Sequence, residues 1–109
     1  MNKCHFVGKL VDDPYLIETN NTYLVKFVLA VEDHRRDKNG SKKRRVDFLQ
    51  FEAWDTAAST IEKYTEKGDF LVVEAIARQH RQTDDIVFRV TNFKIFPNTY
   101  PDSEWDDEK

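Results

Sequence analysis

Hydrophobic and β-branched residues are concentrated in five segments of the chain, residues 3–11, 22–32, 46–54, 70–77 and 86–96. Each segment is short, rich in Val, Ile, Leu and Phe, and bounded by charged or turn-forming residues, as is typical of β-strands. In the third segment Val46, Phe48 and Gln50 fall on one face, whereas Phe51 breaks the alternation. The pattern therefore predicts five strands, the last two joined by a short turn at residues 81–85.

One segment follows a helical period instead. Its apolar side chains recur at spacings of three or four and form a narrow stripe, Ala57, Ala58, Ile61 and Tyr64. Asp55 or Thr56 is predicted to cap the start of this helix, and Lys67 with Gly68 is predicted to end it. Residues 12–21 contain Asp-Pro and Asn-Asn and are predicted to form a turn.

The resulting order is β-β-β-α-β-β, an all-β arrangement with one helix between strands 3 and 4. Five strands with a helix in that position are typical of the OB fold, a small, partly open Greek-key barrel. We expect one domain at residues 1–97. Residues 98–109 have no periodic pattern and are predicted to form a short, flexible acidic tail.

The net charge of −3 is unevenly distributed along the 109 residues. Residues 34–45 carry a net charge of +6, around an Asn39-Gly40 pair that indicates a hairpin turn on a charged loop. Residues 101–109 carry −4. The cations of the basic stretch are Arg35, Arg36, Lys38, Lys42, Lys43, Arg44 and Arg45.

This basic stretch lies directly before two large aromatic residues on the third strand, Phe48 and Trp54. Cations bind the phosphates of nucleic acids, and aromatic faces stack on unpaired bases with little regard for sequence. The combination therefore indicates a protein that binds single strands. The alternatives are a core position for Phe48, a Trp54 that plugs the barrel, and a loop that is merely solvated.

Catalysis and cofactor binding are not indicated. Cys4 is the only cysteine, the three histidines are scattered, and three glycines leave no phosphate-binding loop. We therefore predict no enzyme activity, no metal and no cofactor. The N-terminus lacks the apolar run of a secretory signal, and no segment is long enough to span a membrane, so we expect a cytoplasmic protein.

Several segments resemble the bacterial-type single-stranded DNA-binding protein family in order and spacing. They are NKCHFVGKLVDDP (2–14), KFVLAVED (26–33), RDKNG (36–40), DFLQFEAW (47–54), AASTIEKYTEKGDFLVVE (57–74) and FRVTNFKI (88–95). The resemblance implies an OB fold that binds single-stranded DNA in replication, recombination or repair. It also implies that Phe48 and Trp54 occupy positions where the family stacks aromatics on bases.

The chain departs from this family at a second stacking position, which maps near Arg81 and Gln82 and holds no aromatic. We place Arg78 and Arg81 in the binding site, because a guanidinium plane also lies flat on bases. The resemblance further implies a homotetramer. A dimer formed by pairing of the exposed edges of two first strands is the alternative.

The family's acidic, apolar-tipped C-terminus recruits replication and repair proteins. Here the corresponding residues are Asp102, Glu104, Trp105, Asp106, Asp107 and Glu108, without a terminal Phe. The compact chain with almost no linker resembles a phage- or plasmid-encoded member. The sequence leaves two other functions open, a protein-interaction module such as a primosomal adaptor, and an RNA-binding OB domain.

Overall fold

The computed structural model describes residues 1–98, which form six strands and one helix. The strands are β1 (Cys4–Leu10), β2 (Tyr15–Thr19), β3 (Thr22–Arg36), β4 (Lys42–Trp54), β5 (Phe70–Gln79) and β6 (Ile86–Phe96), and α1 (Asp55–Tyr64) connects β4 to β5. The sheet order is β1-β5-β6-β4-β3-β2, and an additional β1–β3 pairing closes it into a barrel. The β4–β6 pairing is parallel and the other pairings are antiparallel. This connectivity matches the predicted Greek-key barrel.

The short strand β2 lies inside the segment that the sequence predicted as a turn. It pairs with β3 from Tyr15 opposite Lys26 to Thr19 opposite Thr22. The two-residue connection, Asn20 and Asn21, has φ angles of 44° and 65°, as expected for the hairpin turn that Asn favours. The Asn-Asn turn was therefore predicted correctly, and the five-residue strand before it was missed.

The basic stretch forms the end of a long β-hairpin, and the prediction of a charged loop was wrong for most of it. The β3–β4 pairing continues without a register shift to Arg36 opposite Lys42. The connection is residues 37–41, where one carboxylate oxygen of Asp37 accepts hydrogen bonds from the backbone N–H groups of Asn39 and Ser41 at 2.9 Å each. Gly40 takes a φ of 80°, a conformation that glycine adopts easily.

The helix differs from its prediction at both ends. Its N-cap is Trp54, which makes no side-chain capping hydrogen bond, so neither Asp55 nor Thr56 caps it as predicted. The last helical residue is Tyr64, and the N–H of Thr65 bonds to the carbonyl of Ile61. Gly68 follows with a φ of 98° and donates to the carbonyl of Leu10, which ties the helix exit to β1.

The core lies inside the barrel and beneath the helix. Its buried residues are Leu10, Val25, Phe27, Leu29, Phe51, Ala53, Ala58, Ile61, Leu71, Val73, Ala75 and Val90. The rings of Phe27 and Phe51 stack with centroids 5.4 Å apart. Where β1 crosses β3, a Cβ atom on Gly8 would lie 2.8 Å from the Cβ of Leu29, so the closed barrel requires a glycine there.

Candidate nucleic-acid interface

Phe48 and Trp54 lie on the same outer face of β4. Alternate residues of a strand point to the same side, and the register places Phe48 opposite Ala30 and Trp54 opposite Leu24. Phe48 keeps 66% of its surface exposed, so the alternative that it is a core residue is wrong. Trp54 keeps 36% exposed. Six residues of strand separate the two rings by about 20 Å.

An arginine on the neighbouring strand β6 orients Trp54. The guanidinium carbon of Arg89 lies 5.5 Å from the centroid of the indole ring, within the range of a cation–π interaction. Its Nε donates to a carboxylate oxygen of Glu52 at 3.2 Å. Glu52 is almost completely buried, so this ion pair is better shielded from water than those elsewhere on the outer face.

A groove of about 390 Å³ runs past Trp54, and we call it the Trp54 groove. Arg78 and Arg81, which the sequence analysis placed in the binding site, line it together with Trp54, Lys26 and Arg89. The structure therefore brings the predicted aromatic and both predicted arginines to one surface. That surface lies between β3, β4 and the β5–β6 turn, where OB folds usually bind oligonucleotides.

The basic hairpin, residues 34–45, presents a second group of cations beyond Phe48. Arg36 pairs in register with Lys42, and Arg35 with Lys43. These four side chains and His34 line a shallow cavity of about 450 Å³. Lys38 is exposed in the turn. Such a cluster of cations raises the local concentration of polyanions.

Acidic residues on the two strands and in the turn between them neutralise part of this hairpin. Arg45 pairs with Asp47 at 3.0 Å, Lys43 lies 3.8 Å from Asp37, and Arg44 pairs with Glu32. Counted over residues 32–47, seven cations face four carboxylates, for a net charge of +3. The count over residues 34–45 overestimated the positive charge, because it left out the carboxylates that the strand pairing brings alongside.

The Arg44–Glu32 pair shifts the titration of both groups. The hydrogen bond from Arg44 lowers the pKa of Glu32, and a second contact from His34, at 3.2 Å, lowers it further. The same hydrogen bond raises the pKa of Arg44. Both side chains are exposed, so the pair orders the hairpin more than it stabilises the fold.

The model of the Single-strand binding protein family matches residues 1–100 of the chain. The chain belongs to this family. A Single-stranded DNA-binding protein 1 from Clostridium acetobutylicum is 30% identical over 88 residues, 79% of this chain and 77% of that protein. A Single-stranded DNA-binding protein from Staphylococcus epidermidis is 27% identical over 81 residues, 74% of this chain. The chain spans 60% of the length of the latter.

Two solved structures show the same fold as this member of the Single-strand binding protein family. The single-stranded DNA binding protein from Thermus aquaticus, as a deletion mutant, superposes with a TM-score of 0.79 at 18% identity, covering 91% of this chain and 52% of that one. The small single-stranded DNA-binding protein from Streptomyces coelicolor gives 0.70 at 19% identity, covering 86% and 93%. These similarities confirm the OB fold. The family consists of non-enzymatic DNA-binding proteins, which confirms the prediction that the chain is not an enzyme.

Sequence reasoning missed three residues of this face, Lys26, Arg89 and Tyr15. Lys26 alternates with the buried Val25 and Phe27, and Arg89 interrupts the apolar run of β6, so each was visible as a charge within a strand. Tyr15 lay in the segment predicted as a turn. Lys26 and Arg89 lie beside Trp54, and Tyr15 lies beside Lys26, only because of long-range strand pairing, which a local pattern does not reveal.

The acidic tail positions, Asp102 to Glu108, lie outside the described residues. Within residues 1–98 no group of three or more His, Cys, Asp or Glu side chains is arranged to hold a metal ion. In the same part of the chain, no helix is long and apolar enough to cross a membrane.

Proposed function

We propose that the chain binds single-stranded DNA, without sequence specificity, along the outer face of β3 and β4. The observation that carries this proposal is the placement of Phe48 and Trp54, two exposed aromatic rings on one face between two groups of cations. One group is the basic hairpin, and the other is Arg78 and Arg81 in the Trp54 groove. Membership of the Single-strand binding protein family supports the same conclusion.

Each part of this face suits one feature of an unpaired strand. The cations replace counterions condensed on the phosphates, so the affinity should fall steeply with salt. Each stacked base contributes about 1–3 kcal/mol, and every base offers a flat surface. Arg89 occupies one face of the Trp54 ring, which leaves the opposite face for a base.

The decisive experiment is a titration with oligo-dT followed by tryptophan emission, in a Trp105→Phe variant that isolates the signal of Trp54. Stacking should quench the emission deeply with the single strand and not with a duplex of equal length. The quench should weaken as salt rises. If the emission does not change and electrophoresis shows no shifted complex at low salt, single-strand binding through this face is refuted.

Two competitors define the ligand more closely. A matched RNA oligonucleotide that displaces oligo-dT at equal concentration would favour an RNA-binding function, because stacking alone does not distinguish the sugars. If wild type binds neither nucleic acid, the alternative of a protein-interaction module of the same fold gains support. We expect DNA to be bound and duplex DNA to compete poorly.

We also propose that two copies pair through β1, with a tetramer as the favoured assembly. β1 pairs with β5 from Cys4 to Lys9 but with β3 only at Lys9 and Leu10, so among the described residues one edge of residues 4–8 has no strand partner. The adjacent outer face carries the exposed apolar side chains Val7, Phe70 and Phe96. Pairing of two β1 edges would satisfy the unpaired backbone and cover these apolar side chains. A Val7→Lys variant that remains as oligomeric as wild type in sedimentation would contradict this assembly.

The acidic segment at residues 101–109 is our proposed contact for replication or repair proteins. Its net charge of −4 also makes it a competitor for the basic hairpin. A chain truncated after residue 98 should bind oligo-dT at least as well as the full chain and should lose any partner of the tail. We propose that the protein acts in the cytoplasm, in keeping with the single, unpaired Cys4.

A further inference from the structure

A second cavity opens on the same outer face as the Trp54 groove. Its volume is about 440 Å³, and it lies between the β1–β2 turn and the β5–β6 hairpin. Tyr15 lines one side and His80 and Val87 line the other, above a floor that includes Val28 and Gln50. We call this cavity the Tyr15 slot. Tyr15 is 67% exposed there, so its ring is open to a ligand.

The Tyr15 slot is continuous with the Trp54 groove. Lys26, Glu52, His80 and Val87 line both cavities. The strand register also places Tyr15 opposite Lys26, Lys26 opposite Glu52, and Glu52 opposite Arg89, the residue that contacts Trp54. Single-stranded DNA that lies in the Trp54 groove would therefore reach Tyr15 by crossing this one row of paired residues.

The wall that carries Tyr15 is held in place from two sides. The carboxylate of Asp13 accepts a hydrogen bond from the backbone N–H of Lys67 at 2.7 Å, which fixes the turn to the segment after the helix. On the other side, β2 is paired to β3 along its whole length. A ring on such a fixed support loses little freedom when a ligand stacks on it.

Charge determines which part of a nucleotide fits the slot. Asp12, Asp13 and Asp85 line it, together with Glu52, whose charge is paired with Arg89, against the cation Lys26. This arrangement disfavours a phosphate and tolerates a neutral base, whose amino groups donate to carboxylates. The phosphates are better placed on the arginines of the Trp54 groove and on the basic hairpin.

We propose that the Tyr15 slot binds one unpaired nucleobase, stacked on the Tyr15 ring, as an extension of the single-strand path beyond Trp54. This inference rests on the proposed function. It adds a third aromatic platform, at a position where the sequence analysis found none. The phosphates on either side of this base remain outside the slot.

The test compares oligonucleotide affinities of Tyr15→Ala and Tyr15→Phe with those of wild type. Tyr15→Ala should lower the affinity roughly 5- to 150-fold, the loss expected for one stacked base, and should shorten the occluded length per protomer. Tyr15→Phe keeps the ring and should bind within about twofold of wild type. Tyr64→Ala removes another exposed tyrosine, which lines neither cavity, and serves as the matched control.

A photochemical measurement locates the base directly. Oligonucleotides containing 5-iodouracil, irradiated in complex with wild type, should cross-link to Tyr15 as well as to the Phe48 and Trp54 region. Wild-type affinity in Tyr15→Ala, or cross-links confined to β4, would overturn the inference while leaving the proposed function intact. Failure of wild type to bind any oligonucleotide would instead refute the proposed function itself.

Discussion

The guanidinium of Arg89 lies over the indole ring of Trp54, at 5.5 Å from its centroid, while its Nε donates to Glu52 at 3.2 Å. Glu52 thus holds the arginine, and the arginine holds the ring. The contact also occupies one face of Trp54 with a cation. Under the proposed function, a base would stack on the other face, and the phosphates would contact Arg78 and Arg81, which line the same groove.

Replacement of Arg89 by Ala should weaken both binding and folding. Trp54 would lose its support, and the Glu52 carboxylate would be left almost buried without its partner, at a cost of about 1–3 kcal/mol. Urea unfolding measures this loss, and the oligo-dT titration measures the accompanying loss of affinity. Adding Glu52→Gln to Arg89→Ala should recover part of the stability, because the unpaired charge is removed. If the losses in unfolding free energy of the two single substitutions simply added in the double variant, Arg89 and Glu52 would not be coupled.

Phe48→Ala should weaken single-strand binding and leave the stability of the fold almost unchanged. Phe48 is exposed and lies opposite the small Ala30, so its removal should change the free energy of unfolding by less than about 0.5 kcal/mol. The loss of one stacking platform should weaken oligo-dT binding by about 1–3 kcal/mol. Phe48→Tyr keeps the ring and should bind like wild type. A large loss of stability in Phe48→Ala would show instead that the ring supports the fold.

The strands and the helix could be predicted because their signals are local. Phe27 and Leu29 alternate with outer residues along β3, and Ala58 and Ile61 have helical spacing, so burial patterns follow directly from sequence. The strand β2 was missed because it is five residues long and follows Asp-Pro. The continuation of β3 to Arg36 and of β4 from Lys42 was missed, because a run of lysine and arginine has no alternating hydrophobic pattern. The backbone nevertheless pairs regularly there, with Arg36 opposite Lys42.

The binding face was predictable only in part. Phe48 and Trp54 were identified by residue type and by resemblance, and their exposure agrees with that assignment. The contact between Trp54 and Arg89 joins residues 35 positions apart in the sequence, through the parallel pairing of β4 with β6. The pairing of Arg44 with Glu32 likewise depends on the register of the hairpin. Such relationships arise from topology, which composition and periodicity do not specify.

Glu32→Gln should strengthen single-strand binding. Glu32 neutralises Arg44, on the same face as Phe48, so its replacement releases one cation for a phosphate. We expect a higher affinity for oligo-dT and a logarithmic salt dependence that is steeper by about 0.7. Asp33→Asn removes the same charge from a carboxylate that is not paired with Arg44 and is the control. An unchanged salt dependence in Glu32→Gln would show that Arg44 does not reach the strand.

The same pair gives a small pH-dependent contribution to stability. The pKa of Glu32 in the folded chain lies below its ordinary value of 4.5, chiefly because of the hydrogen bond from Arg44. A lowered carboxylate pKa contributes stability above the ordinary value, and this contribution is lost as the pH falls through the lowered one. The melting temperature of wild type should therefore exceed that of Glu32→Gln at about pH 6, and the difference should shrink as the pH falls below 4.5 and through the lowered pKa. If the melting temperature of wild type stayed equally far above that of Glu32→Gln in acid, another contact of Glu32 would be responsible for the difference.

Gly8→Ala should destabilise the barrel at the point where it closes. The added Cβ would lie 2.8 Å from the Cβ of Leu29 and 3.1 Å from the carbonyl oxygen of Ala30, and neither backbone can move without disturbing the β1–β3 pairing. Overpacking of this kind costs about 1–3 kcal/mol, measurable by urea unfolding. Gly40→Asn is the comparison variant: nothing lies within 4 Å of an added Cβ there, but the φ of 80° strains any side chain, so its loss measures backbone strain without overpacking. Equal stability of Gly8→Ala and wild type would mean that β1 and β3 separate at this crossing without loss.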